Sequence, residues 1–150
     1  MIIKESTIDL KNYNVEAIVN FDNNNLSMND GISYQIYKTA GALEMSNTLK
    51  QCIPLNDYEL FLSAAYHLKA NSIIHMALPD NNILEPIKAI KEILLKLMNY
   101  VIDNKIKSIL IPCTKDSKIK DYLIYLDDTI IPTLEKYKRL YNIEITILVD

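Results

Sequence analysis

Glycine is almost absent from this chain: its 150 residues contain two, Gly31 and Gly41, ten residues apart. A chain this poor in glycine keeps it where φ must be positive or where another group approaches the backbone closely. Both follow an apolar run, residues 17–21, that breaks into Asp22-Asn23-Asn24-Asn25 and leads through Gly31-Ile32 to Thr39-Ala40-Gly41. An apolar strand, a polar loop and a helix-like segment in that order place free helix amides where an anion can reach them.

Similar runs recur. Residues 2–3, 72–77, 108–111 and 143–149 are short and apolar with flanking polar residues, and 17–21 is apolar on both faces, as central parallel strands are. The run 143–149 alternates in part, which places it toward an edge. Between them, Ile87, Ile90, Leu94, Leu97, Met98 and Val101 form a stripe at helical spacing behind Pro86. A second helix is expected over 129–140, with Ile130, Ile131, Leu134, Tyr137 and Leu140 inward. Strands alternating with helices imply one domain over 1–150, a three-layer α/β/α sandwich with a mixed, largely parallel central sheet. In such sheets ligands collect at the carboxyl ends of the strands, here the loops 22–31, 79–84 and 113–120.

Composition narrows the function classes. Charged residues make up 23% and apolar ones 49%, as in soluble globular proteins. The net charge of −3 and the scattered lysines leave no footprint for duplex nucleic acid. No apolar run approaches the ~20 residues of a membrane span, and the start lacks a basic region with a long apolar stretch, so a cytoplasmic protein is expected. Cys52 and Cys113 have no Cys-x-x-Cys spacing, which speaks against a zinc site or a disulfide framework. No metal and no cofactor are expected. Adjacent Asp127 and Asp128 suit a helix start through capping and the helix dipole. His75 lies in an apolar run and reads as a structural core histidine; His67 has no evident acidic partner in the sequence.

Ile8-Asp9-Leu10, Val15-Glu16-Ala17-Ile18-Val19-Asn20, Asn23, Leu26, Gly31-Ile32, Ile36 and Ala40-Gly41 stand in an order and at a spacing that resemble the macrodomains, which bind ADP-ribose and related nucleotides. The similarity extends more weakly through residues 63–68, Ser72-Ile73-Ile74-His75, Pro79 and Ser108-Ile109-Leu110-Ile111-Pro112. The resemblance implies that Asp9 accepts a hydrogen bond from an adenine amino group, as an ionised carboxylate can, and that Leu10 helps read the base. It implies contacts from Gly31, Ile32 and the Thr114, Lys115 and Ser117 loop to the phosphates. Asn20 and Asn23 open the first loop, where asparagine side chains bond their own turn, and the resemblance sets Asn23 against the distal ribose.

Two departures from the pattern matter. The family's glycine run falls on Met28-Asn29-Asp30-Gly31, which puts the Asp30 carboxylate beside a diphosphate, and the second loop, Cys113-Thr114-Lys115-Asp116-Ser117-Lys118-Ile119, has no glycine. Active relatives place an aspartate where Ser33 stands, and serine without a base is a poor proton acceptor. Phe21 replaces a small residue and is expected to fill part of the cleft. The expected function is a binding module for ADP-ribose, another adenine nucleotide or an ADP-ribosylated protein, with weak or no hydrolysis. A divergent ADP-ribosyl hydrolase and a domain retained for protein interaction are the alternatives.

Overall fold

Residues Ala17–Asp22 form β2, a strand whose six side chains are all buried. It can be buried on both faces because it runs in the middle of a six-stranded sheet of order β1-β6-β5-β2-β4-β3. The other strands are β1 (Ile2–Lys4), β3 (Leu60–Ala64), β4 (Ser72–Ala77), β5 (Ser108–Pro112) and β6 (Glu144–Val149). All neighbouring pairs are parallel except β3 with β4. The computed structural model describes residues 1–29, 31–80 and 85–150, so Asp30 and the end of the expected loop 79–84 lie outside the described residues.

Strand alternation divides the core in two. Ala17, Val19 and Phe21 of β2, Ile74 and Met76 of β4, and Ile109 and Ile111 of β5 face α3 (Pro86–Asp103), α4 (Ile131–Tyr141) and the turns that precede α4. Ile18, Ile73 and Leu110 face the opposite layer, α1 (Gly31–Ala40) and α2 (Ala42–Leu49). This is the α/β/α architecture with a mixed, mostly parallel sheet. The α3 stripe buries Ile90, Ile93, Leu94, Leu97, Met98 and Val101 completely. Removing a side chain of that size from water is worth about 1.5–3 kcal/mol.

Several expectations need correction. Strand β3 was not anticipated: Leu60-Phe61-Leu62 is only half-buried and lacks alternation, so its strand character comes from pairing with β4. Strand β6 does lie toward an edge, second in the sheet with β1 outside it. Ile87 and Leu140 leave their stripes and are largely exposed, at 47% and 60%. The second helix enters through a 3-10 turn, Lys120–Tyr125, and a π-helical turn, Leu126–Ile130. Asp127 and Asp128 sit in the first turn of that π-helical segment, but no side-chain bond caps it.

Candidate functional site

The last residues of β2 start the site. Ile18, Asn20 and Asp22 share one face of the strand, and Ile18 is apolar where Asn20 and Asp22 are polar, so the polar pair continues the core face toward the carboxyl end, under the start of α1. Asp22 is buried at 7% exposure. Its Oδ1 accepts the Asn23 amide at 2.8 Å, and its Oδ2 accepts the Met28 amide at 2.9 Å and Asn20 Nδ2 at 3.4 Å. Burial pushes its carboxyl above the usual aspartate value, against the opposing pull of the two amides, Asn20 and the nearby Lys118 ammonium.

One carboxylate thus shapes the whole first loop. Leu26 and Met28 adopt left-handed conformations, each with φ +46, yet both side chains are buried in the α1-α2 core. Left-handed backbone costs a non-glycine residue roughly 1–2 kcal/mol, which the burial of two large apolar side chains more than offsets. Asn23 completes the loop, its Oδ1 accepting the amides of Asn25 at 3.0 Å and Ser27 at 3.3 Å. Sequence reading placed Asp22 and Asn23 at the start of the loop and gave Asp22 no binding role. The signal was present: a lone acid ends a strand that is apolar but for Asn20.

Beneath the loop runs a polar chain through three strands. Asn20 Nδ2 lies 3.1 Å from His75 Nδ1, and His75 Nε2 lies 2.9 Å from Ser63 Oγ. Because an amide nitrogen only donates, Nδ1 is the acceptor and Nε2 carries the proton, which goes to Ser63; the Ser63 hydroxyl is then free for the Ala64 carbonyl at 3.0 Å. Burial lowers the His75 pKa to about 3, so the ring is neutral and structural, as its apolar run suggested. At the other end Ser33 Oγ donates to Asn20 Oδ1 at 2.7 Å. Ser33 is buried and its proton is committed; it offers a reacting group no base.

The second loop follows β5 and is held mostly by bonds within itself. Thr114 is fully buried and its hydroxyl donates to Asp116 Oδ1 at 2.6 Å. The Ser117 amide donates to the Thr114 carbonyl at 3.0 Å, and Ser117 Oγ accepts the Ile119 amide at 3.2 Å. The Lys115 amide donates to Asp150 Oδ2 at 2.9 Å. Of the expected phosphate donors, Ser117 and Lys115 line the cleft, whereas Thr114 is spent on the loop itself.

Between the loops lies a cleft of about 490 Å³ at the carboxyl ends of β2, β4 and β5. Asp22, Asn23, Asn29, Gly31 and Ser33 form one wall, Lys115, Ser117, Lys118 and Lys120 another. Lys118 is ion-paired to Asp80 across the opening. Phe21 contributes to the floor while its ring stays in the core at 2% exposure. Ile32 is likewise buried, at 2%. Gly31 has φ +57, and a Cβ there would land on the carbonyl oxygen of Asp116; the glycine lets the two loops touch, rather than the loop meet its own helix.

Asp9 stands elsewhere. Its Oδ1 accepts the Lys11 amide at 3.1 Å and its Oδ2 accepts Asn12 Nδ2 at 2.7 Å, so it caps an exposed turn. With Leu10, Glu5, Gln35 and Lys38 it borders a separate cleft of about 540 Å³. His67 does have an acidic partner, Glu44 Oε1 at 3.4 Å, on the far side of α2 and in the open. Among the described residues no group of His, Cys, Asp and Glu is arranged to hold a metal. Cys113 is buried, with its thiol pushed up to about 12, and Cys52 is partly buried; neither forms a disulfide.

The Macro domain family model matches residues 19–115, from the middle of β2 to the start of the second loop. This chain belongs to the Macro domain family. Solved macrodomains share its fold at low identity. A Trypanosoma brucei macrodomain in complex with ADP-ribose superposes with a TM-score of 0.72 at 18% identity, covering 90% of this chain and 58% of that one. An Oceanobacillus iheyensis macrodomain with MES bound gives 0.71 at 22%, covering 99% and 81%. The macro domain of ganglioside induced differentiation associated protein 2 gives 0.69 at 20%, covering 91% and 70%. The chain therefore spans less than two thirds of the Trypanosoma macrodomain. A comparison with curated protein sequences finds no match. No helix among the described residues of this macrodomain is long and apolar enough to cross a membrane.

Proposed function

We propose that this macrodomain is a binding module for ADP-ribose or a related adenine nucleotide, free or attached to protein, with weak or no hydrolase activity. The observation that carries the reading is the polar cleft at the carboxyl ends of β2, β4 and β5, where Lys115, Lys118 and Lys120 supply positive charge and Asn23, Ser117 and the start of α1 supply hydrogen-bonding groups. That a Trypanosoma relative was solved with ADP-ribose supports the ligand class. Asn20 acts one layer below, orienting Ser33 and Asp22. Asp9 and Leu10 lie on the second cleft and are assigned the base edge. Ile32 follows Gly31 and is assigned to the phosphate side with it; Asp30, assigned there by the resemblance, lies outside the described residues.

Weak turnover follows from Ser33. Its proton is donated to Asn20 and it is buried, so an aspartate substituted there brings a second buried carboxylate beside Asp22, at a cost in stability. Calorimetric titration with ADP-ribose tests the reading: saturable binding supports it, and no heat at millimolar ligand removes it. Incubation with mono-ADP-ribosylated protein is expected to release ADP-ribose at background rate. The hydrolase reading is favoured by one observation, the raised carboxyl of Asp22 at the cleft wall; robust release that disappears in Asp22→Asn establishes it instead.

A further inference from the structure

The amides of the first loop are spent inside the loop. Those of Asn23 and Met28 donate to the Asp22 carboxylate, those of Asn25 and Ser27 to Asn23 Oδ1, and that of Leu26 to the Asn23 carbonyl at 3.0 Å. Asp22 takes the place that a bound anion fills where loop amides converge. The Ser33 hydroxyl is donated to Asn20, and the Asn20 amide is shared between Asp22 and His75, so the wall at the end of β2 has few donors left. What it offers is an acceptor. Asp22 lines the cleft; its Oδ2 receives two hydrogen bonds and its Oδ1 one, which leaves Oδ1 a lone pair for a further donor.

The charges of the cleft act to the same effect. Asp22, Asp80, Asp116 and Asp121 line it against Lys115, Lys118 and Lys120, and Lys118 is paired to Asp80. The lining as a whole does not attract an anion; position decides. The three ammoniums belong to the second-loop side, whereas the wall formed by Phe21, Asp22, Asn23, Asn29, Gly31 and Ser33 has no cation among its described residues. The ammonium whose field reaches Asp22, that of Lys118, is already engaged by Asp80. A phosphate set against the buried Asp22 carboxylate meets a repulsion that solvent screens poorly, and a hydroxyl set there meets an acceptor.

From the inward-turned amides, the spare acceptor and the one-sided lysines, we infer that Asp22 is a specificity-determining residue of the main cleft: its carboxylate accepts a hydrogen bond from a hydroxyl of the ligand's terminal sugar and turns a terminal phosphate away from the β2 wall. The domain then prefers a nucleoside diphosphate that ends in a sugar to one that ends in a phosphate. The base edge stays with Asp9 and Leu10. The inference deepens the reading of the main cleft as the ligand site and rests on it.

ADP-ribose and ADP, each titrated calorimetrically into the full chain at neutral pH, test it. In the unmodified chain ADP-ribose is expected to bind about tenfold or more tighter than ADP. Asp22→Asn, nearly equal in size and uncharged, is expected to weaken ADP-ribose by about tenfold and to tighten ADP by about threefold or more. The opposite signs are the mark of specificity, because a residue that only shapes the loop weakens both ligands when it is replaced. ADP binding as tightly as ADP-ribose in the unmodified chain, or a variant that weakens both alike, overturns the inference and keeps the nucleotide-binding reading. If the variant does not fold, the comparison in the unmodified chain decides alone. No binding of either ligand to the unmodified chain overturns both.

Discussion

The two loops around the main cleft solve the same problem by different means. Each must expose polar groups at the end of a strand with almost no glycine. The first, after β2, is held from below: Asp22 gathers the Asn23 and Met28 amides, and two left-handed residues, Leu26 and Met28, are locked by burial in the α1-α2 core. The second, after β5, is held from within by hydroxyls of Thr114 and Ser117 bonding residues two positions away. The difference teaches where each loop's shape is stored. The first depends on the packing of its side chains into a core layer, the second on short-range bonds and on the Lys115 amide held by Asp150. They meet at one point, Gly31 against Asp116.

The largest effect is expected at Met28. Met28→Ala removes a fully buried side chain and is expected to cost about 2–5 kcal/mol in denaturant unfolding. Met28→Gly, which takes φ +46 without strain, is expected to be no worse. If glycine proves clearly more damaging than alanine, left-handed strain is not a feature of the first loop and the contrast with the second weakens.

Next comes the pH dependence of the network under that loop. Folding lowers the His75 pKa from 6.5 to about 3. Between those values the unfolded chain binds more protons than the folded one, so stability falls as pH drops below about 6.5, by up to ~1.4 kcal/mol per pH unit. Asp22 acts with the opposite sign. Its raised carboxyl makes the folded chain the better proton acceptor above the ordinary aspartate value, so its contribution grows on acidification toward that value and offsets part of the loss. Urea titrations at a series of pH values, with His75→Gln as the comparison, check this; an unchanged acid slope in the variant removes His75 as its source.

Gly31→Val is expected to cost about 1–3 kcal/mol through left-handed strain, with more from collision with the Asp116 backbone. Its amide spectrum is expected to change in both loops. A change confined to the first loop breaks the idea that the two are joined there. The smallest effect belongs to the second loop: Ser117→Ala removes one acceptor for the Ile119 amide and is expected to cost about 0.5–1.5 kcal/mol, with the spectrum of the first loop unchanged.

The strands and the long helices were legible in the chain because each carries its own period. The run 17–21 is apolar except at Asn20 and becomes a strand buried on both faces, and the α3 stripe becomes the wall of one core. The family resemblance rested on the order and spacing of matching residues from Ile8 to Gly41 and more weakly on to Pro112, and agrees with the family match over 19–115. Strand β3 and the π-helical entry to α4 were not legible, since Leu60-Phe61-Leu62 owes its conformation to the partner it pairs with.

At the site the division is sharper. Residue type and order alone determined that a polar, asparagine-rich loop with one essential glycine follows the central strand. Only the tertiary structure decided what that glycine is for and which acid matters. Gly31 yields to Asp116, 85 positions further along the chain, and Asp22 gains its raised carboxyl from a core assembled by other segments. Periodicity is a local property, which a sequence displays; close approach and desolvation arise between segments, and exist only once the chain has folded.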